Sequence, residues 1–185
     1  MPEPPDPTSA LTARVRAGDR AAFEALFRSV HGDLARYARS LADPAEADDA
    51  VQDAFLALWR RRARLDPGRS VRALLYTAVR NRLLNRQRDA ARRRGLLDAM
   101  DAPASPALPD AAAEAAMLGA LVRDGIAALP DRQREAFGLS RFGGLSHAEI
   151  AAVMGCSAKT VENHVGRALA ALRDHLRRHA PDALL

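Results

Sequence analysis

LSHAEIAAVMGCSAKTVENHVGRALAAL, residues Leu145 to Leu172, reads as two helices joined by a short turn. Ser146 followed by Glu149 makes an S-x-x-E capping box, in which each residue's side chain satisfies a free backbone N–H of the other at a helix start. Ile150, Ala151, Val153 and Met154 give the first helix an apolar face, and Gly155 supplies positive φ where it must stop. Ser157 then caps a second helix, on which Val161, Val165, Ala168, Leu169 and Leu172 recur at three- and four-residue spacing. The opposite face carries Lys159, Thr160, Glu162, Asn163, His164 and Arg167. Such a pair is either a corner of an ordinary α-domain or a DNA-binding helix-turn-helix. In the latter the second helix enters the major groove and its N-terminal residues meet base edges.

The rest of the chain decides between the two. A length of 185 residues fits one or two small domains, and with five Phe, two Tyr and one Trp the composition favours helices packed through small residues. The net charge of +5 is unevenly spread. Residues 1–59 hold six arginines against ten acidic residues, whereas residues 60–94 hold thirteen arginines against Asp66 and Asp89 alone. Residues 95–117 carry four acidic residues and no base. A solvated helix face mixes both signs, so an arginine block of this density points to a polyanion partner. The single Cys156 excludes an intramolecular disulfide. It lies in the turn between His147 and His164, but three scattered ligands do not match a zinc spacing, so the thiol is expected to pack in the turn and no metal is assigned. With neither a charged-then-apolar leader nor a membrane-length apolar run, the chain is expected to be soluble and cytoplasmic, without membrane insertion.

Read in order, Met1 to Thr8 is a Pro-rich acidic lead-in. Asp19 caps a long amphipathic helix through Phe23, Leu26, Phe27, Val30, Leu34, Tyr37, Ala38 and Leu41, with a bend expected near Gly32. Asp43-Pro44-Ala45-Glu46 starts the next helix, whose inward stripe is Val51, Ala54, Phe55 and Leu58. Asp48, Asp49, Gln52 and Asp53 lie outward. They have no histidine partner, so a solvated face or a docking surface for a basic partner fits them better than metal or acid–base chemistry. After the Asp66-Pro67-Gly68 turn, Val71, Leu74, Leu75, Ala78, Val79, Leu83 and Leu84 form a buried stripe. Arg72, Arg80, Arg82, Asn85, Arg86 and Arg88 are left outside, interrupted by Tyr76, a mixture suited to unpaired nucleic acid. Pro103, Pro106 and Pro109 mark an acidic linker. A further helix follows through Met117, Leu118, Leu121, Val122, Ile126 and Leu129; Pro130 breaks it, and Arg132 to Arg141 leads into the opening motif.

Three stretches in this order, EADDAVQDAFLALW (Glu46 to Trp59), ALLYTAVRNRLLNRQR (Ala73 to Arg88) and LPDRQREAFGLSRFGGLSHAEIAAVMGCSAKTVENHV (Leu129 to Val165), resemble the extracytoplasmic-function group of sigma-70 family RNA polymerase sigma factors. The resemblance spans roughly residues 10 to 178. It implies an all-α fold of two small helical domains joined by a flexible acidic linker: a tail over 1–9, sigma region 2 over 10–94, the linker over 95–113, region 4 over 114–178 and a tail over 179–185. It further implies that Asp49, Gln52, Asp53, Phe55 and Trp59 bind core polymerase through the β′ coiled coil, with the β subunit also a partner. Arg80, Asn81, Asn85 and Arg88 would capture the unpaired −10 strand, flipped bases being held in a pocket or by the loop near Asp66 to Ser70. Lys159, Thr160, Glu162, Asn163, His164 and Arg167 would read the −35 duplex. Promoter DNA and an anti-sigma factor are the other implied partners; no cofactor and no catalysis are expected. Many members carry Trp where this chain has Leu74, Asp where it has Asn85, and a Lys-Ser-Arg type of run where it has Glu162-Asn163-His164. A glutamate there can accept from a cytosine amino group. KTVENHV also resembles the recognition helix of LuxR-type regulators, which leaves a stand-alone regulator as the alternative. An enzyme acting on nucleic acid lacks a nucleophile, a metal set or a phosphate loop.

Overall fold

Local capping chemistry sets where the helices begin. The computed structural model describes residues 9–94 and 113–180, with side chains over 10–89 and 118–180; the rest of the expected tails (1–9 and 179–185) and linker (95–113) and the side chain of Met117 lie outside them, while Ser9, Ala113 and His179 belong to helices. Every regular element among the described residues is helical, and the chain divides into two compact units.

In the first unit α1 (Ser9–Arg16) turns into α2 (Arg20–Arg39) at Gly18, whose φ of 89° is open to glycine at no cost. Asp19 caps α2 by accepting from the Ala22 N–H at 3.0 Å, and its other oxygen pairs with Arg14 at 2.7 Å. These contacts, the Ala22 N–H first, hold its carboxyl below the usual range. The helix α2 is continuous through Gly32. Asp43 accepts from the Ala45 and Glu46 N–H groups, both at 3.0 Å, and Pro44 opens α3 (Pro44–Arg60). A 3₁₀ turn, Arg62–Arg64, leads to a loop in which Asp66 accepts from Gly68 N–H at 2.9 Å, before Ser70 caps α4 (Val71–Arg94) through the Ala73 N–H.

Val15 of α1, Leu26, Val30 and Leu34 of α2, Val51 and Phe55 of α3, and Leu75, Val79 and Leu83 of α4 form the core of this unit. Ala35, Ala38, Ala47, Ala50 and Ala54 are buried between them, so the helices approach closely, as the alanine-rich composition leads one to expect. Tyr76 is 1% exposed, and its ring centre lies 5.1 Å from that of Tyr37. Leu74, expected inside, is 49% exposed.

The second unit comprises α5 (Ala113–Ala127), α6 (Asp131–Arg141), α7 (His147–Met154) and α8 (Ala158–His179). Leu129, Phe137, Ala168 and Leu172 cluster with Ile126, and Ile150, Val153, Met154 and Val161 continue the core under the helix-turn-helix. Gly125 lets α5 lie flat against α8, because a Cβ there would sit 2.9 Å from His175 Cδ2 and 3.0 Å from Leu172 Cδ2. Leu169, expected in the α8 stripe, is 47% exposed, and Val165 is only half-buried. The apolar stripe of α8 is wider than its partner helices cover. None of the described helices is long and apolar enough to cross a membrane.

Candidate polymerase and nucleic-acid interfaces

The outward face of α3 presents Asp48, Asp49 and Gln52 to solvent, with Asp53 and Trp59 half-buried. Phe55, grouped with them on sequence, points inward at 3% exposure. It joins an aromatic set drawn from two helices. Phe27 of α2 lies 4.8 Å from Phe55 and 4.5 Å from His31, and Phe23 lies 5.0 Å from Trp59. Beside these rings a groove of about 780 Å³ opens between α2 and α3, lined among others by Phe23, Phe27, His31, Gln52, Phe55 and Trp59. Arg62 stacks on the Trp59 ring at 4.5 Å and donates to the Trp59 carbonyl at 3.0 Å, fixing the indole at one end. The α2 side of this groove is absent from the residues named on sequence. Its signal is the i, i+4, i+8 spacing of Phe23, Phe27 and His31, of which the helical stripe read from sequence takes in Phe23 and Phe27 and leaves His31 aside.

The α4 face differs from expectation most at Arg80 and Tyr76, while Arg72 and Arg86, also expected outside, are half-buried. Asn81, Arg82, Asn85 and Arg88 are exposed, as their spacing implies, but Arg80 is only 9% exposed and Tyr76 is buried. Helical geometry explains both: Arg80 lies one turn after Tyr76 and three residues before Leu83, hence on the same stripe as the core. Residue type placed them outside; register places them inside. Burial pushes the Tyr76 hydroxyl up to about 12, so the ring is a neutral core element rather than a stacking platform for bases.

Carboxylates of α3 meet guanidinium groups of α4 along their shared edge. Asp53 pairs with Arg82 and Asp49 with Arg86 at 3.9 Å, while Asp48 pairs with Arg39 of α2 at 2.8 Å. Gln87 donates to the Leu41 carbonyl at 2.7 Å and ties α4 to the α2–α3 corner. The acidic and basic faces that the sequence separates are therefore adjacent and partly neutralise one another.

In the second unit the capping box is complete. Ser146 N–H donates to the Glu149 carboxylate at 2.8 Å, and Glu149 N–H donates to the Ser146 hydroxyl at 3.3 Å. Gly155 takes φ 65° and ψ 44°, and the next N–H, of Cys156, closes back on the Ala151 carbonyl at 3.0 Å. Ser157 caps α8 by accepting from Thr160 N–H at 3.1 Å, and the two hydroxyls are 2.8 Å apart. Thr160 is thereby engaged at the cap. Lys159, Glu162, Asn163 and Arg167 stand exposed, whereas His164 is half-buried, with Nδ1 turned inward and lacking a hydrogen-bond partner among the described residues.

Two family models match this chain: sigma-70 region 2 over residues 26–93 and sigma-70 region 4 over residues 120–172. The sigma factor NccH of Alcaligenes xylosoxydans xylosoxydans is 34% identical over 178 residues, covering 91% of this chain and 94% of that protein. The extracytoplasmic-function sigma factor SigL of Mycobacterium tuberculosis is 34% identical over 169 residues, covering 87% and 94%. The chain belongs to the extracytoplasmic-function sigma factors of the sigma-70 family. Among solved structures, CnrH in complex with the cytosolic domain of CnrY is similar at TM-score 0.64 and 31% identity, over 94% of this sigma factor and 99% of that chain. The sigma factor RpoE in complex with the anti-sigma factor NepR, from Bartonella quintana, is similar at TM-score 0.65 and 25% identity, over 84% and 96%. The region 2 match sets aside the LuxR-type alternative, because a regulator defined by its recognition helix does not account for α2 to α4. Sigma factors bind core RNA polymerase, recognise promoters and promote transcription initiation, and that is the function of this chain.

Proposed function

We propose that this sigma factor works by dividing labour among three surfaces. Asp49, Gln52, Asp53 and Trp59 of α3 dock on the β′ coiled coil of core polymerase, with Phe55 holding the face in shape from beneath. Asn81, Arg82, Asn85 and Arg88 of α4 hold the unpaired −10 strand, and Arg80 supports that helix from inside. Lys159, Glu162, Asn163, His164 and Arg167 enter the −35 duplex, with Thr160 holding the start of the recognition helix. The adjacency of the α3 and α4 faces carries this reading: one small compact unit offers an acidic surface for protein and a basic surface for nucleic acid side by side.

The protein acts in the cytoplasm with core polymerase and has no catalysis of its own. RpoE is seen in complex with the anti-sigma factor NepR and CnrH in complex with the cytosolic domain of CnrY, and an anti-sigma partner is proposed for this chain as well. The aromatic groove between α2 and α3 offers such a partner an apolar seat. Run-off transcription with purified core polymerase, on templates bound by the reconstituted holoenzyme, tests the whole reading. Initiation that depends on the added chain, together with its co-purification with core, is the expected result; a chain that does neither is not acting as a sigma factor.

A further inference from the structure

The recognition helix carries a carboxylate where DNA-facing helices normally collect positive charge. Glu162 lies one turn into α8, and its Oε2 is 2.9 Å from Lys159 Nζ, with 55% and 72% of the respective side chains exposed. The hydrogen bond from Lys159, together with that side chain's positive charge, holds the Glu162 carboxyl below the usual range, so it is an ionised acceptor. A bare carboxylate in the major groove is repelled by the phosphates on either side. It gains only where a base presents an amino group, and the groove edge offers one on cytosine and one on adenine.

Resting on the −35 assignment above, we propose that Lys159 and Glu162 act as a single reading unit for one C·G base pair, the glutamate accepting from cytosine N4 and the lysine donating to guanine O6 and N7. Spacing is the first ground. Within a base pair the cytosine amino nitrogen and guanine O6 are joined by a hydrogen bond, hence about 2.9 Å apart, which is the separation of a carboxylate and ammonium that are themselves hydrogen-bonded. An acceptor and a donor held at that distance match a donor and an acceptor held at the same distance. Neutralisation is the second. The pair carries no net charge, so it enters the groove without the repulsion that Glu162 alone would meet. An A·T pair also places an amino group beside an oxygen, but there the lysine meets one acceptor flanked by the thymine methyl, whereas guanine offers two. Lys159, Glu162 and Asn163 are the exposed polar side chains over the first turn and a half of α8, the part of a recognition helix that reaches base edges.

The test is selection from a duplex library randomised over the upstream element, using holoenzyme reconstituted from core polymerase and the full chain, carried out in parallel with Glu162→Ala, Glu162→Gln and Lys159→Ala. The parent chain is expected to enrich C·G at one position, where replacement by T·A lowers affinity by about tenfold, within the range of one good side-chain pair to a base. Glu162→Ala and Lys159→Ala are each expected to flatten that position while the rest of the motif persists, and Glu162→Gln to weaken the preference. A C·G preference that survives Glu162→Ala, or enrichment of A·T at the position that Glu162→Ala flattens, overturns the assignment while leaving the −35 reading intact. Failure of the parent holoenzyme to enrich any upstream motif overturns both.

Discussion

Replacing Gly155 by alanine isolates the turn of the helix-turn-helix from every side-chain contact. The residue sits at φ 65° and ψ 44°, and a Cβ placed there meets nothing within 4 Å, so steric clash with neighbours contributes nothing. What remains is the intrinsic cost of the left-handed conformation for an L-residue, about 1–2 kcal/mol. For a unit of this size that corresponds to a loss of roughly 4–15 °C in Tm. Because the chain has two units, one transition cannot be assumed, and two probes are needed. The sole tryptophan, Trp59, reports the first unit by fluorescence, while far-UV circular dichroism reports both. Gly155→Ala is expected to lower the part of the dichroism transition that Trp59 does not follow, and to leave the Trp59 midpoint where it was. Gly155→Asn is expected to lose less, since asparagine enters this region more readily. An alanine variant as stable as the parent, or an asparagine variant as costly as alanine, refutes the reasoning.

Three further outcomes are expected. Asp53→Arg removes the partner of Arg82 and sets a like charge beside it; co-elution with core polymerase should weaken markedly, while stability falls by about 1 kcal/mol or less because both partners are more than a third exposed. Arg82→Ala should weaken binding of a −10 single strand to the holoenzyme without moving the Trp59 unfolding midpoint. Arg80→Ala should lower that midpoint, because its side chain is buried; equal behaviour of the two would contradict the register of α4. Tyr76, with its hydroxyl pushed up to about 12, stays protonated in the folded state after the unfolded chain has begun to lose its proton near pH 10. The stability it contributes is therefore full below pH 10 and is lost as pH rises towards 12, an effect on the order of 2–3 kcal/mol. Alkaline titration of urea unfolding followed at Trp59 should show this fall, and Tyr76→Phe should remove it.

What could be read from the chain without coordinates was local. Asp19, Asp43, Ser146 and Ser157 each act within three residues of themselves, so their capping roles are written in spacing alone. The same holds for Gly155. Arg80 and Tyr76 were misplaced because an arginine and a tyrosine look like surface residues, whereas their helical register, shared with Val79 and Leu83, runs through the core. Leu74 and Leu169 erred in the opposite direction: an apolar residue can satisfy a helical period and still face no partner helix. The aromatic groove was invisible for a different reason, since its walls come from α2 and α3 and only their packing brings Phe23 to Trp59. The helix α1 is short, and its Leu11 and Val15 offer one i, i+4 pair, too little to announce an element.

The contacts of Arg82 with Asp53 and of Arg86 with Asp49 alter how the basic helix answers to salt. When an arginine neutralises a phosphate of single-stranded DNA, about 0.7 of a condensed cation is set free, and affinity falls with salt accordingly. An arginine that must first leave an aspartate breaks an exposed ion pair that salt itself weakens, and this offsets part of the loss of affinity. The free chain should therefore show a shallower salt dependence than its arginines alone imply. A partner that occupies Asp49 and Asp53 removes the offset, so protein docking on one helix steepens the ionic response of its neighbour without any change of fold.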